Sequence, residues 1–228
     1  MIKNLFFSAL LLLLLSSKNT VSAFFGGIAP RKVAALSKTD FLSSLNTLQG
    51  INTATKERTK LVQALTRDNP TPRPGSTESF SKGAPGLWGI VYAPHISTLA
   101  KWAGGGKFDP VWYQLKKDGT MTSHARFEFP WLPTKMSGWL SVSGTYSSQD
   151  EDSICRVDFD KAWVKFNTND QDDEPYSTLE AVPPSLSKDI INQLGKFFFI
   201  EQVSVFPVSY LDESLIVFDF ELLGTRIC

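Results

Sequence analysis

Apolar residues recur along this chain in two rhythms, helical before residue 70 and strand-like after residue 86. Phe41, Leu42, Leu45 and Leu48 fall on one face of a predicted helix, with Asp40 near its start. Gly50 and Asn52 break that pattern. Thr55 then caps a second predicted helix, with Glu57 in its first turn and Leu61, Val62 and Leu65 as its apolar stripe. Asn69-Pro70 ends it, because proline pushes the residue before it out of the helical region. Residues 70–86 hold Pro70, Pro72, Pro74, Gly75, Gly83, Pro85 and Gly86, and read as a linker with little regular structure.

Beyond the linker the spacing predicts strands and turns. Leu87 to Tyr92 is the first strand, and Val111 to Leu115 the second, closed by an Asp118-Gly119 hairpin turn. Met121 to Phe129, Gly138 to Tyr146 and a long, bent Ile154 to Phe166 come next. Leu186 to Leu194 reads as a short helix, and Phe197 to Phe206 and Leu215 to Leu222 as two last strands. The expected fold is mainly β: an antiparallel barrel or strongly curved sheet, preceded by two short helices. Bulky neighbours such as Trp112-Tyr113, Trp139-Leu140 and Trp163-Val164 put apolar side chains on both faces. A sheet with one wet face alternates more cleanly, so either helices and loops cover the outer face or that face meets lipid.

The first 39 residues obey different rules. Lys3 precedes an apolar run from Leu5 to Leu15, long enough for a signal-peptide core but short of the roughly 20 residues a bilayer span needs. Val21-Ser22-Ala23 supplies small residues at cleavage spacing, which sets residues 1–23 apart as a signal peptide. Residues 24–39 are basic, hydroxyl-bearing and free of acid, like a transit peptide. The Val21-Ser22-Ala23-Phe24 junction resembles the Ala-Ser-Ala-Phe-type junction of diatom plastid presequences. That resemblance implies import into a plastid through a signal peptide and then a transit peptide.

Charge sharpens the division. Of 23 basic residues, five (Lys3, Lys18, Arg31, Lys32 and Lys38) lie in the first 39, leaving 18 against 23 acidic residues in the remainder. A net acidic domain repels phosphate backbones, so nucleic acid is not an expected partner. Cys155 and Cys228 are the only cysteines, a usage that suits a reducing compartment.

Three stretches carry a further resemblance: Asn69-Pro70-Thr71-Pro72, Gly86-Leu87-Trp88-Gly89-Ile90-Val91-Tyr92 and Tyr210-Leu211-Asp212-Glu213-Ser214-Leu215. In order and spacing they resemble the plastid lipid-associated protein family, the fibrillins, over roughly residues 41–222. The chain departs from that pattern at Ala93, where members commonly have Thr or Ser. It also departs after Tyr210-Leu211-Asp212, where members often carry Arg and Gly and Ile216-Val217-Phe218-Asp219-Phe220 follows here instead, so no role of that Arg transfers. The resemblance implies a lipocalin-like barrel over 86–228, behind a helical segment 40–69 and a linker 70–85. It implies association with plastoglobules or thylakoids, and binding of prenylquinones, carotenoids or fatty-acid derivatives without catalytic residues.

A small antiparallel barrel leaves an interior that side chains fill or a ligand occupies. Aromatic linings give large contact area, and apolar burial gains about 25 cal/mol per Å². Trp88, Tyr92, Trp112, Phe127, Trp139 and Phe218 are the candidate ligand-binding residues, each with plain core packing as its alternative. Trp88 has a specific alternative, as a plug in the barrel floor. Tyr210 and Asp212 fix a turn or meet a polar head group. His95 and His124 have no second ligand at metal spacing, Gly104-Gly105-Gly106-Lys107 lacks the phosphate-loop pattern, and no nucleophile motif occurs, so no catalytic, metal or cofactor site is expected. Two other functions remain open: a coat or assembly factor with a filled barrel, and an enzyme acting on carotenoids. The enzyme requires cavity-facing carboxylates, for which Glu128, Asp158, Asp160 and Glu201 are the candidates.

Overall fold

The computed structural model describes residues 34–45, 55–96, 105–129, 136–149, 153–167, 174–183, 205–220 and 225–228. Three helices come first: α1 (Ala34–Leu45), α2 (Lys56–Arg67) and α3 (Thr77–Gly83). Eight strands come after them: β1 (Gly86–Gly89), β2 (Lys107–Leu115), β3 (Thr120–Phe129), β4 (Met136–Gln149), β5 (Ile154–Phe166), β6 (Val205–Leu211), β7 (Ile216–Phe220) and β8 (Thr225–Ile227). They form one strongly curled antiparallel meander in sequence order, so the mainly β reading holds.

Bulges at Phe108/Val111, Ser143/Gly144 and Val208/Tyr210 bend the strands that carry them. At the second bulge a Cβ on Gly144 would lie 2.2 Å from the carbonyl oxygen of Asp158, so glycine is what lets β5 approach β4 there. The curl brings the two ends of the meander together. The main-chain N–H groups of Val91 and Tyr92 donate to Cys228 O at 2.8 and 3.1 Å, and Cys228 N–H returns a bond to Tyr92 O at 2.9 Å. This lacing ties the segment after β1 to the end of β8 and covers two otherwise open sheet edges.

The β2–β3 turn uses Asp118-Gly119 as expected. Lys116 N–H donates to Thr120 O, Gly119 adopts φ +80°, and the Asp118 carboxylate accepts from the Thr120 N–H and hydroxyl. Three residues inside the Lys116–Thr120 pair make a type I turn capped by a left-handed glycine.

Elsewhere the expectations need correction. α1 begins at Ala34, so Asp40 lies within it and not near its start; Phe41 is fully buried, while Leu42 is 40% exposed. Leu48 lies outside the described residues. The linker contains α3, whose start is capped by the Ser76 hydroxyl accepting from Ser79 N–H. β1 ends at Gly89; Ile90 N–H still donates to Val111 O of β2 in the same register, and Val91 and Tyr92 then turn their N–H groups to Cys228 O. β6 runs on through Tyr210-Leu211, and β8 had no sequence signal. The expected Leu186–Leu194 helix lies outside the described residues, as do residues 1–33.

The outer face is covered in two places. α1 and α2 lay Phe41, Val62 and Leu65 over Tyr92, Tyr210, Leu215, Val217 and Cys228. Residues 174–183 cross β5 outside Trp163, packing Leu179 and Val182 on its indole while Tyr176 O accepts from its Nε1. Apolar residues on both faces of these strands are thereby explained by protein cover.

Candidate functional site

Residues paired across neighbouring strands share a face of the sheet. One row runs Trp88–Tyr113–Ser123–Val142–Ala162 from β1 to β5. It lies inside the curl, since Trp88 and Tyr113 pack with residues of α3, β6 and β7. The adjacent row, Trp112–His124–Ser141–Trp163, lies outside.

One end of the curl is stoppered. Phe80 and Ala84 of α3 insert among Leu115, Met121, Cys155, Val157, Val208, Leu211 and Ile216, the residues flanking the tight turns. Trp88 Nε1 donates to Ala84 O at 2.7 Å, tying the indole to this stopper. Trp88 thus plugs the floor, the specific alternative to a ligand-binding role.

Above the stopper the inner wall is apolar; Val111, Phe127 and Ala162 on it are buried, and a patch between them is only partly covered. Tyr113, Leu140, Val142, Phe159, Val164 and Phe218 keep intermediate exposure, whereas outer-face Trp139, Ser141 and Trp163 are 1–2% exposed. The polar tips on this wall are matched locally. The Tyr113 hydroxyl is hydrogen-bonded to Ser123, and burial pushes its pKa up. Tyr146 donates its hydroxyl to Lys116 O.

At the opposite end of the curl, its mouth, Ile90, Ala93, Val111, Phe220 and Ile227 pack into an apolar cluster, none more than 8% exposed. Phe206 stacks on Phe220 from one side, and the His95 ring lies 4.7 Å from Phe220, tilted by 34°. His95 is 8% exposed, and its Nδ1 has no hydrogen-bond partner among the described residues. Burial lowers its pKa to about 4, so the imidazole is neutral at physiological pH. In the sequence His95 stands out only as a histidine with no second metal ligand near it; its place at the mouth comes from the curl, which no local pattern encodes.

The six aromatic candidates do not share one face. Trp88 and Phe218 are on the inner wall, and Phe127 faces inward at the mouth end, within 5.8 and 5.9 Å of Phe129 and Phe166. Trp112 and Trp139 are outside, their rings 4.8 Å apart. Tyr92 sits at the lacing, with its ring against Phe41 and its hydroxyl 3.1 Å from Thr59 Oγ1.

Tyr210 and Asp212 build a turn. The Asp212 carboxylate accepts from Tyr210 Oη, from Ser214 and Leu215 N–H and from the Lys38 ammonium of α1. Burial works to raise the Asp212 pKa, but the bonds from Lys38, Tyr210 and Ser214 outweigh it and hold the carboxyl below its usual range. Beside it, Asn69 Oδ1 accepts from Leu211 N–H at 3.3 Å, and the Thr71 hydroxyl donates to Leu211 O. Two of the stretches behind the family resemblance thus grip each other. The third joins through Trp88 and Ala84, which packs in the same cluster as Leu211.

His124 Nδ1 lies 2.8 Å from Ser141 Oγ, the one arrangement among the described residues that resembles a base and a nucleophile. Its surroundings point to packing. Ser141 is 1% exposed, and Trp112 and Trp163 sit edge-on to the imidazole. Burial lowers the His124 pKa. Of the four carboxylates considered for catalysis, Glu128, Asp158 and Asp160 are outward, engaged with Arg126, Arg156 and Ser143. Glu201 lies outside the described residues.

The comparisons with known proteins add no relative: no family model, curated protein or solved structure matches the chain.

Proposed function

We propose that this protein is a plastid lipid-associated, fibrillin-like protein that holds an apolar small molecule inside its curled sheet. The observation that carries this reading is an apolar patch of the inner wall that stays partly exposed, although its neighbours Val111, Phe127 and Ala162 are buried. Inner-wall Tyr113, Leu140, Val142, Val164 and Phe218 stay partly exposed while outer-face Trp139 and Trp163 are buried. A concave apolar wall that its own side chains leave partly uncovered is a surface on which a ligand tail gains about 25 cal/mol per Å². The stoppered end makes it a cup rather than a channel.

The plastid setting draws its support from the Val21-Ser22-Ala23-Phe24 junction and the three family-like stretches. The outward aim of Glu128, Asp158 and Asp160 favours carriage over acid–base chemistry on the ligand. Protein recovered from its native membrane fraction without detergent, then solvent-extracted and read by mass spectrometry, should yield a stoichiometric prenylquinone, carotenoid or fatty-acid derivative. Protein recovered ligand-free, and unable to take up such molecules afterwards, favours instead a coat or assembly role.

A further inference from the structure

Three polar side chains of the described inner wall are matched within the protein, and one at its mouth is not. Trp88, Tyr113 and Tyr146 each place their polar atom on a partner of the protein itself, as Ala84 O, the Ser123 hydroxyl and Lys116 O. His95 does not. Its ring is stacked on Phe220, among Ile90, Ala93, Val111 and Ile227, and its Nδ1 is buried without a hydrogen-bond partner among the described residues. Leaving a buried polar nitrogen unmatched is costly, and a group that satisfies it on binding gains both the bond and the relief of that cost.

We propose that His95 is the polar anchor of the cup, hydrogen-bonding an uncharged oxygen-bearing head group, a hydroxyl or a carbonyl, on an otherwise apolar ligand. This rests on the apolar-ligand reading and adds the head-group class and the ligand's direction. The tail lies toward the Phe80 stopper, and the oxygen reaches Nδ1 beside Phe220 as the packed cluster there parts to admit it. A neutral imidazole serves either partner, donating to a carbonyl or accepting from a hydroxyl according to its tautomer. The apolar ring around it disfavours a charged head group, which would need an ionic partner to remain buried.

The test is a pair of probes differing only in the head group, 10-(1-pyrenyl)decan-1-ol and 1-decylpyrene. Each is titrated into the full chain and monitored by energy transfer from tryptophan to pyrene. The wild-type protein should bind the alcohol roughly five- to tenfold more tightly, the value of one matched hydrogen bond. His95→Leu should erase the difference by weakening the alcohol alone. His95→Asn, whose amide reaches the Nδ1 position, should keep more of it than His95→Gln, whose amide reaches the far side of the ring. Should the wild type lack the preference, or His95→Leu keep it, the anchor is wrong while the cup stands. Binding of neither probe by the wild type removes the cup, and the anchor with it. If His95→Leu loses decylpyrene binding through misfolding, the Asn and Gln variants decide, and equal preference in both overturns the proposal.

Discussion

Tyr92 and Cys228, 136 positions apart in sequence, exchange main-chain hydrogen bonds in both directions, at 3.1 and 2.9 Å. They join the segment after the first strand to the end of the last, and Cys228 is buried there among Phe41, Val62 and Val217. Deleting Arg226–Cys228 removes these bonds and the burial of Ile227. The expected loss is on the order of 4 kcal/mol, read as a lower urea midpoint. A truncated chain with an unchanged midpoint would show that the curl holds without its lacing.

Asn69 is the clasp between the helical segment and the β6–β7 turn, accepting from Leu211 N–H and Thr71 N–H and donating to Thr71 O. Asn69→Ala should cost about 1–3 kcal/mol, since it leaves part-buried main-chain groups unmatched. Asn69→Asp keeps the acceptor and should fall between. Equal midpoints for Ala and Asp would mean that the acceptor is not the element that matters.

Folding holds His95 neutral down to a pKa of about 4, against 6.5 for an ordinary histidine. Between those values the unfolded chain binds the proton that the folded chain refuses. Stability therefore falls as pH drops from 6.5 towards 4, and this contribution levels off below. Over the full window the loss from His95 is at most about 3 kcal/mol. His124, shifted down by burial as well, adds in the same direction. Urea midpoints at pH 7 and pH 5 should differ less in His95→Asn than in the wild type. An identical difference in both would place the acid sensitivity elsewhere.

Burial pushes the Cys155 thiol up to about 12 and raises that of Cys228 as well. Neither forms the thiolate that reacts, and they lie in separate apolar clusters. The native protein at pH 8 should react with a disulfide reagent at least about 100-fold more slowly than the same protein in denaturant. Rapid labelling of one thiol in the native state would show that its cluster opens.

The architecture was legible wherever local chemistry was strong. Thr55 caps α2, with its hydroxyl accepting from Arg58 N–H at 3.1 Å. Asp118-Gly119 turns β2 into β3, and Ile154–Phe166 keeps the bounds its composition suggested. The misses share one cause. α3 is short and flanked by Pro and Gly, so its Ser76 cap was hidden by breakers on either side. β8 has three residues and is specified by partners in β7, far too few for a periodicity. The site was harder still. Trp112 and Tyr113 are adjacent and equally bulky, yet one faces out to Trp139 and the other in to Ser123. Only strand register, which depends on bulges such as Phe108/Val111, decides which of the two lines the cup.

Lys38 reaches from α1 to the Asp212 carboxylate and the Ser214 hydroxyl, although it falls in the basic stretch whose composition matches a removable leader. The same helix carries Phe41, which roofs Val217 and Leu215. A processing protease that cut just before Asp40 would sever this tether and leave Phe41 on a remnant of half a helix, baring greasy surface to neighbouring molecules. A cut that spared both the tether and this roof would have to fall upstream of Lys38.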